Sequence, residues 1–357
     1  MRALVLRPGT AGSTTVATMP DPQPRGTDVL VRPLEVGVCG TDREMSEGWF
    51  GIAPAGEELL ILGHELLGRV ERDGLGFARG DLVTATVRRS CGHCGACGAG
   101  APDSCETGDY AEHGITRLHG FAAELAVVPA AHLIPVPEAL GRLGVLAEPA
   151  SICARALRHV RAVGGRQPWS PGRALVLGAG AIGMLSTYFL RLEGLDVWTA
   201  ALEPAGGEKA QLVAAAGARY VPATATAPGA LAAEVGGFDV VIVAAGSAQL
   251  SLDALALLRR NGVACLLGID GHDRRVSLPG PVIGVDAILG NRALFGSVNA
   301  NAVDWHGAVE RLEQAWRRWP DALDRFVGLS AGLEDYASAF AYGGVKATLT
   351  LEPGSGG

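Results

Sequence analysis

Short apolar runs with β-type alternation fill the first part of the chain. Up to about residue 150 they are separated by Gly, Pro and Asp, which are typical of turns. The runs that predict strands are "DVLVRPLEVGV", "LLGRVERDG", "GDLVTATV" and "AAELAVVPAAHLIPVP". This part of the chain is therefore predicted to be rich in β-structure.

The pattern changes at about residue 151. The run "SICARALRHVRAV" has helical periodicity, with one apolar face made of Ile152, Ala156, Leu157 and Val160. After the Gly- and Pro-rich connector "GGRQPWSPGR", strand-like and helix-like runs alternate: "ALVLG", "AIGMLSTYFLRLEG", "DVWTAAL", "EKAQLVAAAG", "FDVVIVAAG", "LSLDALALLRRNG" and "VACLLGI". Apolar strands separated by helices predict a doubly wound parallel sheet that is covered on both faces.

The two patterns predict an α/β protein of two domains, since 357 residues exceed what one hydrophobic core usually organises. We assign residues 157–292 to a dinucleotide-binding Rossmann domain. Residues 1–156 and 293–357 form the β-rich catalytic domain. From "ALFGSV" onward the chain has one strand, the amphipathic helix "AVDWHGAVERLEQAWRRW" and the run "KATLTLEP", which by pattern alone fit either domain.

Composition and charge narrow the function classes. Apolar residues make up 48% of the chain and charged residues 19%, as in a compact soluble protein. The net charge of -7 and the pI near 5.7 leave no basic field for a phosphate backbone, so nucleic acid is not the expected partner. No apolar run reaches ~18 residues, the length of a transmembrane helix. The apolar run within "MRALVLRPGT" is too short for the hydrophobic region of a secretory signal. We therefore expect no membrane partner and a cytoplasmic location.

The sequence "VLGAGAIG" predicts a nucleotide site. Gly178, Gly180 and Gly183 form G-x-G-x-x-G between a strand and a helix, whose N-terminus attracts a pyrophosphate. Glu203 ends the next strand, where a carboxylate binds both ribose hydroxyls and repels a 2′-phosphate. NAD is therefore favoured over NADP, while the nearby Lys209 leaves dual specificity open. The simpler alternatives are a glycine turn without a ligand and a solvated loop carboxylate.

Four of the seven cysteines lie close together in "CGHCGACGAGAPDSC". Cys91, Cys94, Cys97 and Cys105 predict a closed tetrahedral zinc site of structural role, because the protein is large and expected inside the cell. We expect His93 at the surface, since four sulfurs already fill the coordination. An iron–sulfur cluster is the alternative occupant, although the spacing does not fit the ferredoxin patterns.

Cys39 in "VGVCGTD" and the pair His64-Glu65 in "LGHELLG" predict a second metal site. Each feature alone has a common alternative, because a single Cys is usually a small core residue and a His-Glu pair is usually on the surface. Together they supply a thiolate, an imidazole and a carboxylate. This set binds zinc and leaves one position for water or substrate.

These motifs resemble, in order and interval, those of the zinc-dependent medium-chain alcohol dehydrogenases: "GVCGTD", "GHE", the four-cysteine segment, "AEPASI" and "VLGAGAIG". The resemblance covers essentially the whole chain. It is strongest to glucose dehydrogenases of archaeal type, through "CETGDYAEHGITRLHGF", "AEPASICARALRH" and "GSVN". It implies a GroES-like catalytic domain, a homo-oligomer (dimer or tetramer), and hydride transfer to NAD(P) from a hydroxyl of a sugar, polyol, amino sugar or cyclitol.

The resemblance also assigns roles to individual residues. It makes Cys39, His64 and Glu65 ligands of a catalytic zinc, and it places Glu148 in the zinc environment, directly or through water. Thr41 matches the residue whose hydroxyl meets the reacting alcohol, so Thr41 and Glu148 are the predicted catalytic residues. The positions that match sugar-binding residues are Glu112, Glu148 and Asn299.

Two departures from the family pattern bear on specificity. Leu202-Glu203 stands where the NADP-using glucose dehydrogenases carry basic residues, which again favours NAD. Ile152 stands at a substrate-side position that is acidic in some sugar dehydrogenases, which leaves glucose open against related polyols. The rival interpretations are a dehydrogenase of a non-sugar secondary alcohol, a non-catalytic nucleotide-binding protein of the same fold, and a nucleic-acid-binding zinc ribbon, which the acidic pI disfavours.

Overall fold

The protein is a mixed α/β chain, and its computed structural model describes residues 1–351. The strands, numbered β1 to β19, are Arg2–Leu6, Thr15–Thr18, Asp28–Val38, Leu60–Ile61, Glu65–Val70, Leu82–Ala85, Arg88–Arg89, Ala111–His113, Arg117–Leu118, Ala126–Pro129, Leu133–Pro135, Arg173–Leu177, Asp196–Ala201, Arg219–Pro222, Phe238–Val243, Leu258–Leu266, Ala293–Gly296, Val327–Gly332 and Lys346–Thr350.

The helices, numbered α1 to α10, are Gly40–Ser46, Gly95–Gly98, Ala147–Gly164, Ala181–Leu192, Glu208–Ala215, Pro228–Val235, Ala248–Leu257, Ala302–Arg318, Pro320–Leu323 and Tyr336–Ala341. Short 3-10 turns cover Pro102–Ser104, Ala130–His132, Glu138–Leu146 and Leu333–Asp335, and a π-helical turn covers Val282–Ala287. Within residues 1–351, none of the helices combines the length and the apolar character needed to span a membrane.

The chain forms two compact units. The first unit contains residues 1–151, 299–313 and those from 324 onward, and the second contains residues 152–298 and 314–323. The domain boundaries predicted from the sequence stay a prediction. β17, which begins at the predicted boundary residue Ala293, pairs with β16 in the sheet of the second unit.

The first unit is built on β-structure, as predicted. Its largest sheet has the strand order β11-β6-β5-β3-β19-β18, with β10 also paired to β3, and two three-stranded sheets have the orders β2-β1-β4 and β7-β8-β9. The long strand β3 organises the large sheet, because β10 pairs with residues 28–31 and β19 with residues 35–38. Buried apolar side chains from these strands, among them Val31, Val36 and Leu66, form the core of this unit.

The second unit contains a six-stranded parallel sheet with the order β14-β13-β12-β15-β16-β17. Helices α4 to α7 alternate with its strands along the chain, which is the doubly wound Rossmann arrangement. Every residue of β15, "FDVVIV", is buried, because helices cover a parallel sheet on both faces. The predicted fold class is confirmed.

One predicted helix ends earlier than its sequence pattern indicates. The run "LSLDALALLRRNG" was expected to be helical throughout, but α7 ends at Leu257 and β16 begins at Leu258. Leu258 is buried and pairs with Phe238 before the register shifts, with Asn261 at a φ of 65°. Pairing with β15 therefore outweighs the helical propensity of Leu and Arg here.

Candidate active site

Cys39 lies between the end of β3 and the start of α1, and helix capping fixes its position. Its Sγ accepts a hydrogen bond from the Thr41 backbone N–H (3.3 Å), while Oδ2 of Asp42 accepts one from the Cys39 backbone N–H (2.9 Å). This is a capping box in which Cys takes the place usually held by Ser or Thr. The two bonds hold the Cys39 sulfur at the N-terminus of α1.

His64 and Glu65 lie at the start of β5, and small residues make room for them. Gly63 has a φ of 85°, and Glu65 pairs with Gly37 across the sheet. A Cβ atom on Gly37 would lie 1.9 Å from Oε2 of Glu65. Gly37 is therefore required for the Glu65 carboxylate to occupy this position.

The structure brings Cys39, His64 and Glu65 together in a buried cluster. Sγ of Cys39 lies 3.3 Å from Nε2 of His64, and one ligand atom from each of the three residues lies within 4.8 Å of the others. Zinc–sulfur and zinc–nitrogen bonds of tetrahedral geometry place the two ligand atoms about 3.6 Å apart. The cluster thus has both the donor types and the spacing for zinc.

The charges around this cluster are mostly negative. Burial lowers the pKa of His64, but the neighbouring Cys39 and Asp42 raise it by more, so the pKa lies well above 6.5. Desolvation raises the pKa of Glu148 to about 7, against the lowering effect of His64. The buried acidic side chains of this cluster outnumber the positive side chains beside them, so a bound divalent metal ion would stabilise the folded protein.

Lys346 is a site residue that the sequence analysis missed. Its Nζ is buried and donates to both carboxylate oxygens of Glu65 (2.6 and 2.7 Å) and to the Val38 carbonyl (3.1 Å). Burial lowers the pKa of Lys346, but the Glu65 charge and hydrogen bonds raise it above its ordinary value. The signal was a lone lysine inside the apolar run "KATLTL".

Asp42 is the second residue that the sequence analysis missed. It is buried, and its Oδ1 lies 3.7 Å from Nδ1 of His64. The two atoms lie beyond hydrogen-bonding distance, so Asp42 acts on His64 through its charge, which raises the pKa of His64. The capping-box spacing from Cys39 to Asp42 would have indicated it.

The remaining predicted residues of the first unit fall into two groups. Thr41 lies partly exposed in the first turn of α1, directly beside Cys39, and Glu148 lies in the first turn of α3, near enough to His64 and Glu65 to shift its pKa. Glu112 and Asn299 form a second pair, in which Nδ2 of Asn299 donates to Oε1 of Glu112 (2.8 Å).

The four predicted cysteines of the structural site also lie together. Their sulfur atoms all lie within 4.8 Å of one another, and Sγ of Cys94 is 4.0 Å from Sγ of Cys105. Tetrahedral zinc places its sulfur ligands about 3.8 Å apart, so this cluster also fits the metal. The backbone amide of His93 lowers the pKa of Cys91 to about 5, which favours the thiolate that binds metal. The His93 side chain itself is exposed.

In the second unit, the three predicted glycines form the turn between β12 and α4. Gly178 has a φ of 109°, and a Cβ atom on Gly183 would lie 2.0 Å from the Gly178 carbonyl oxygen. Gly180 is the N-cap of α4 and has open space at its Cβ position, so the first amides of the helix have no side-chain cap. This is the geometry that a phosphate group needs at a helix N-terminus.

Glu203 lies just after β13 and forms an ion pair with Lys209. Partial burial raises the pKa of Glu203, but the hydrogen bond from Lys209 lowers it by more, so Glu203 is a carboxylate at neutral pH. Its backbone carbonyl accepts a hydrogen bond from the Tyr220 hydroxyl (2.8 Å). The loop is therefore held in place, with Lys209 paired to the carboxylate of the predicted ribose site.

A β-rich unit with a four-cysteine cluster and a Cys–His–Glu cluster, and a Rossmann unit with a glycine turn, define the fold of the zinc-dependent alcohol dehydrogenases. Family comparison agrees: residues 25–138 match the alcohol dehydrogenase GroES-like domain, and residues 141–351 match the glucose dehydrogenase C-terminus.

Individual relatives narrow the class further. The chain is 41% identical to a glucose 1-dehydrogenase of Methanocella arvoryzae, over 94% of each chain, and 39% identical to glucose 1-dehydrogenase 1 of Caldivirga maquilingensis, over 99% of each. It superposes on the glucose dehydrogenase of Haloferax mediterranei in complex with NADP, Zn and gluconolactone with a TM-score of 0.90, at 29% identity, over 98% of this chain and 99% of that one.

The chain belongs to the zinc-dependent medium-chain alcohol dehydrogenases, in the group of the archaeal-type glucose dehydrogenases. It is thus a zinc- and NAD(P)-dependent dehydrogenase that acts on CH–OH groups.

Proposed function

We propose that the protein oxidises an aldose such as glucose, or a closely related polyol, with NAD as the preferred hydride acceptor. The observation that carries this proposal is the buried Cys39–His64–carboxylate cluster, which has the donor set and the negative charge for one zinc ion. Glu112 and Asn299, which the family resemblance assigns to sugar binding, form a hydrogen-bonded pair in the same unit, and this supports a substrate with several hydroxyls.

When bound, zinc lowers the pKa of a hydroxyl group at its open position, and the nicotinamide accepts the hydride. Cys39 and His64 would hold the metal, and the Asp42 carboxylate lies 3.7 Å from the second nitrogen of His64. Two carboxylates are available as further ligands. Each Glu65 oxygen accepts one hydrogen bond from Lys346 and keeps acceptor capacity for the metal, and Glu148 would share the metal site, directly or through water.

The chain's own groups also handle the proton. The backbone N–H of Thr41 binds Sγ of Cys39, and the Thr41 hydroxyl would relay the proton of the reacting alcohol, giving its own proton to water as it accepts the new one. Glu148, a buried carboxyl beside His64, is a further group of this site that could hold a proton. Glu112 and Asn299 bind the other hydroxyls, because a buried polar group left unpaired by a wrong substrate costs about 1–3 kcal/mol.

The preference for NAD rests on Glu203. A carboxylate at this position accepts hydrogen bonds from the ribose and repels a 2′-phosphate. The Haloferax mediterranei enzyme is described in complex with NADP, whereas in this chain the charge of Lys209 is paired with Glu203. NADP use therefore stays the weaker activity.

The four cysteines bind a second zinc ion of structural role, in this proposal, since their closed sulfur set leaves no position for a substrate. This zinc fastens the segment of residues 91–105. The cytoplasmic location stays a prediction from the sequence.

The second unit carries a surface that supports self-association. β17 is an edge strand of the six-stranded sheet, and both β17 and the turn Val282–Ala287 pack against α7. Exposed large apolar residues concentrate here: Ile283, Val285, Ile288, Leu289, Leu294 and Val298. A strand with one open edge beside such residues is a template for a second copy of the chain, so we propose a homo-oligomer.

The test combines a substrate screen with a metal-ligand variant. Purified protein is assayed with aldoses, polyols, amino sugars, cyclitols and simple secondary alcohols, each with NAD and NADP. We expect two zinc ions per chain and a kcat/KM for the best aldose on the order of a hundredfold above that for a simple secondary alcohol. Cys39→Ser is expected to lose one zinc and at least about a hundredfold in activity.

The matched control is Cys153→Ala, which removes a buried thiol that belongs to neither cluster. It is expected to keep both zinc ions and its activity. Full activity and full zinc content in Cys39→Ser would refute the catalytic-zinc assignment. Faster turnover of simple alcohols than of any sugar would replace the sugar substrate with a non-sugar alcohol.

A further inference from the structure

The Glu112 carboxylate uses one of its two oxygens for two donors. Nε of Arg88 lies 2.9 Å from Oε1 of Glu112, and Nδ2 of Asn299 lies 2.8 Å from the same oxygen. Both contacts end on Oε1, and no side chain within residues 1–351 forms a hydrogen bond or ion pair with Oε2. The carboxylate therefore has one oxygen saturated and one that keeps its acceptor capacity.

Arg88 is itself fixed on several sides. Its side chain is 5% exposed, its Nη1 donates to the Asp103 carbonyl (3.2 Å), and its guanidinium lies 3.7 Å from the centre of the Tyr110 ring. Arg88 also pairs directly with Glu112 in the ladder between β7 and β8. A planar guanidinium held in this way sets both the charge and the rotation of the carboxylate that it binds.

Asn299, the second donor to Oε1, is also fixed by its own contacts. Its backbone is in the left-handed region, with a φ of 61°, and its Oδ1 accepts a hydrogen bond from the Ala300 backbone N–H (2.8 Å). This bond fixes the amide so that Nδ2 faces Glu112. Arg88 and Asn299 together therefore direct both of their donors to Oε1 and leave Oε2 as the acceptor for another group.

We propose that Arg88 is a positioning residue for substrate specificity: it fixes the Glu112 carboxylate so that Oε2 accepts a hydrogen bond from one particular substrate hydroxyl. This inference rests on the proposed function, in which Glu112 binds a hydroxyl of the substrate. It goes beyond that function in assigning the choice of hydroxyl to Arg88, whose contacts reach the segment of the four cysteines through Asp103.

The two possible roles of Arg88, structural and positioning, differ in their expected effects on variants. A structural Arg88 would affect stability and all substrates alike. A positioning Arg88 acts through Glu112, so its removal matters only while Glu112 is present and only for substrates that carry the recognised hydroxyl.

The experiment is a double-mutant cycle with Arg88→Met, Glu112→Gln and the double variant, together with Arg88→Lys. We measure kcat and KM for the aldose or polyol that the wild-type protein oxidises best, and for its monodeoxy analogues. Zinc content and thermal melting are measured for each variant. Arg89→Met is the matched control, because Arg89 is the next residue of β7 and contacts Thr86 and His113, not Glu112.

We expect Arg88→Met to raise KM about tenfold or more while kcat changes less than about threefold, with both zinc ions retained. The KM of Arg88→Lys is expected to lie between those of wild type and Arg88→Met, since an ammonium group keeps the positive charge but lacks the planar guanidinium that orients the carboxylate. In the Glu112→Gln background, Arg88→Met adds no more than about a twofold change. In wild type one deoxy analogue binds much more weakly than the parent sugar, and this difference shrinks in Arg88→Met.

If the effects of Arg88→Met and Glu112→Gln on KM simply multiply in the double variant, the inference is overturned. An equal rise in KM of Arg88→Met for the parent sugar and for every deoxy analogue would overturn it too. If Arg88→Met does not fold, Arg88→Lys completes the same cycle with the same criteria. A wild-type protein that oxidises polyols but not glucose or any other aldose would refute the proposed sugar substrate, and the cycle would still decide the role of Arg88 on the polyol.

Discussion

Glu65 shows how a single buried charge is accommodated in the first unit. The absence of a side chain on Gly37 provides the space, and both carboxylate oxygens bind Nζ of Lys346. Removing one partner of such a pair leaves an unpaired buried charge, which costs about 3–5 kcal/mol. Residues at the metal site are therefore constrained by packing and by charge at the same time.

Glu203 is a residue whose role is set by repulsion as much as by attraction. Its carboxylate is 38% exposed, so it is accessible to a ribose while Lys209 keeps it ionised. A negative charge at this position excludes a second negative charge on the ligand. Cofactor choice therefore depends on the sign of one side chain.

The change Glu203→Arg reverses that sign. We expect the ratio of kcat/KM for NADP to that for NAD to rise by on the order of tenfold or more, because an arginine binds the 2′-phosphate and the carboxylate–ribose hydrogen bonds are lost. Steady-state kinetics with both cofactors measures the ratio. Glu208→Arg, the same charge change at the first residue of α5, is the control. An equal rise in both variants would show that only the general charge of the loop matters.

At the scale of elements, the pair β7 and β8 directs neighbouring side chains to different partners. Arg88 binds Glu112, while the next residue, Arg89, lies 2.7 Å through Nη2 from Nε2 of His113. Nδ1 of His113 donates to the His119 carbonyl (2.6 Å), so the ring is a neutral tautomer that accepts from Arg89. Burial first, and then the Arg89 charge, lower the pKa of His113 to about 3.

This arrangement predicts a pH dependence of stability. The folded-state pKa of His113 lies below the unfolded value of about 6.5, so its contribution is complete above pH 6.5 and is lost as the pH falls toward 3. Within that window one extra proton binds the unfolded chain, which corresponds to about 1.4 kcal/mol per pH unit. His113→Gln is expected to reduce the fall in unfolding free energy between pH 7.5 and 5.

Urea unfolding at several pH values measures this fall. The exposed residue His306 provides the control, since His306→Gln leaves the dependence as in wild type. A slope in His113→Gln that equals the wild-type slope would contradict the assignment of the proton to His113.

At the scale of the whole molecule, the two units have separate sheets and differ in what their edges expose. The parallel sheet of the second unit ends at β17, beside exposed apolar residues such as Ile288 and Leu289. Covering this edge with another copy of the chain satisfies the unpaired backbone groups and removes apolar surface from water. The proposed oligomer follows from this surface.

The double change Ile288→Lys and Leu294→Lys places two charges on this surface. We expect a wild-type dimer or tetramer in analytical ultracentrifugation and a smaller assembly for the variant, because burying unpaired lysines is unfavourable. Val303→Lys, at another exposed apolar residue in α8 of the chain, is the control and keeps the wild-type assembly. A wild-type monomer, or an unchanged assembly in the double variant, would refute the proposed interface.

Much of the fold was predictable because its signals are local. The alternation of strand and helix runs predicted the parallel sheet, and the close spacing of four cysteines placed their sulfurs together. Where a local signal was misleading, as at the end of α7, sheet pairing decided the structure. The roles of the predicted site residues stay predictions until the variants are measured.

The sequence by itself determined the fold class, the glycine turn at the nucleotide site and the two groups of candidate metal ligands, since these depend on residue type and short spacing. Only the tertiary structure decided which charges meet: Lys346 with Glu65, 281 residues apart, and Asn299 with Glu112, 187 residues apart. Such pairs leave no periodic or spacing signal in the chain, because sheet topology alone brings them together.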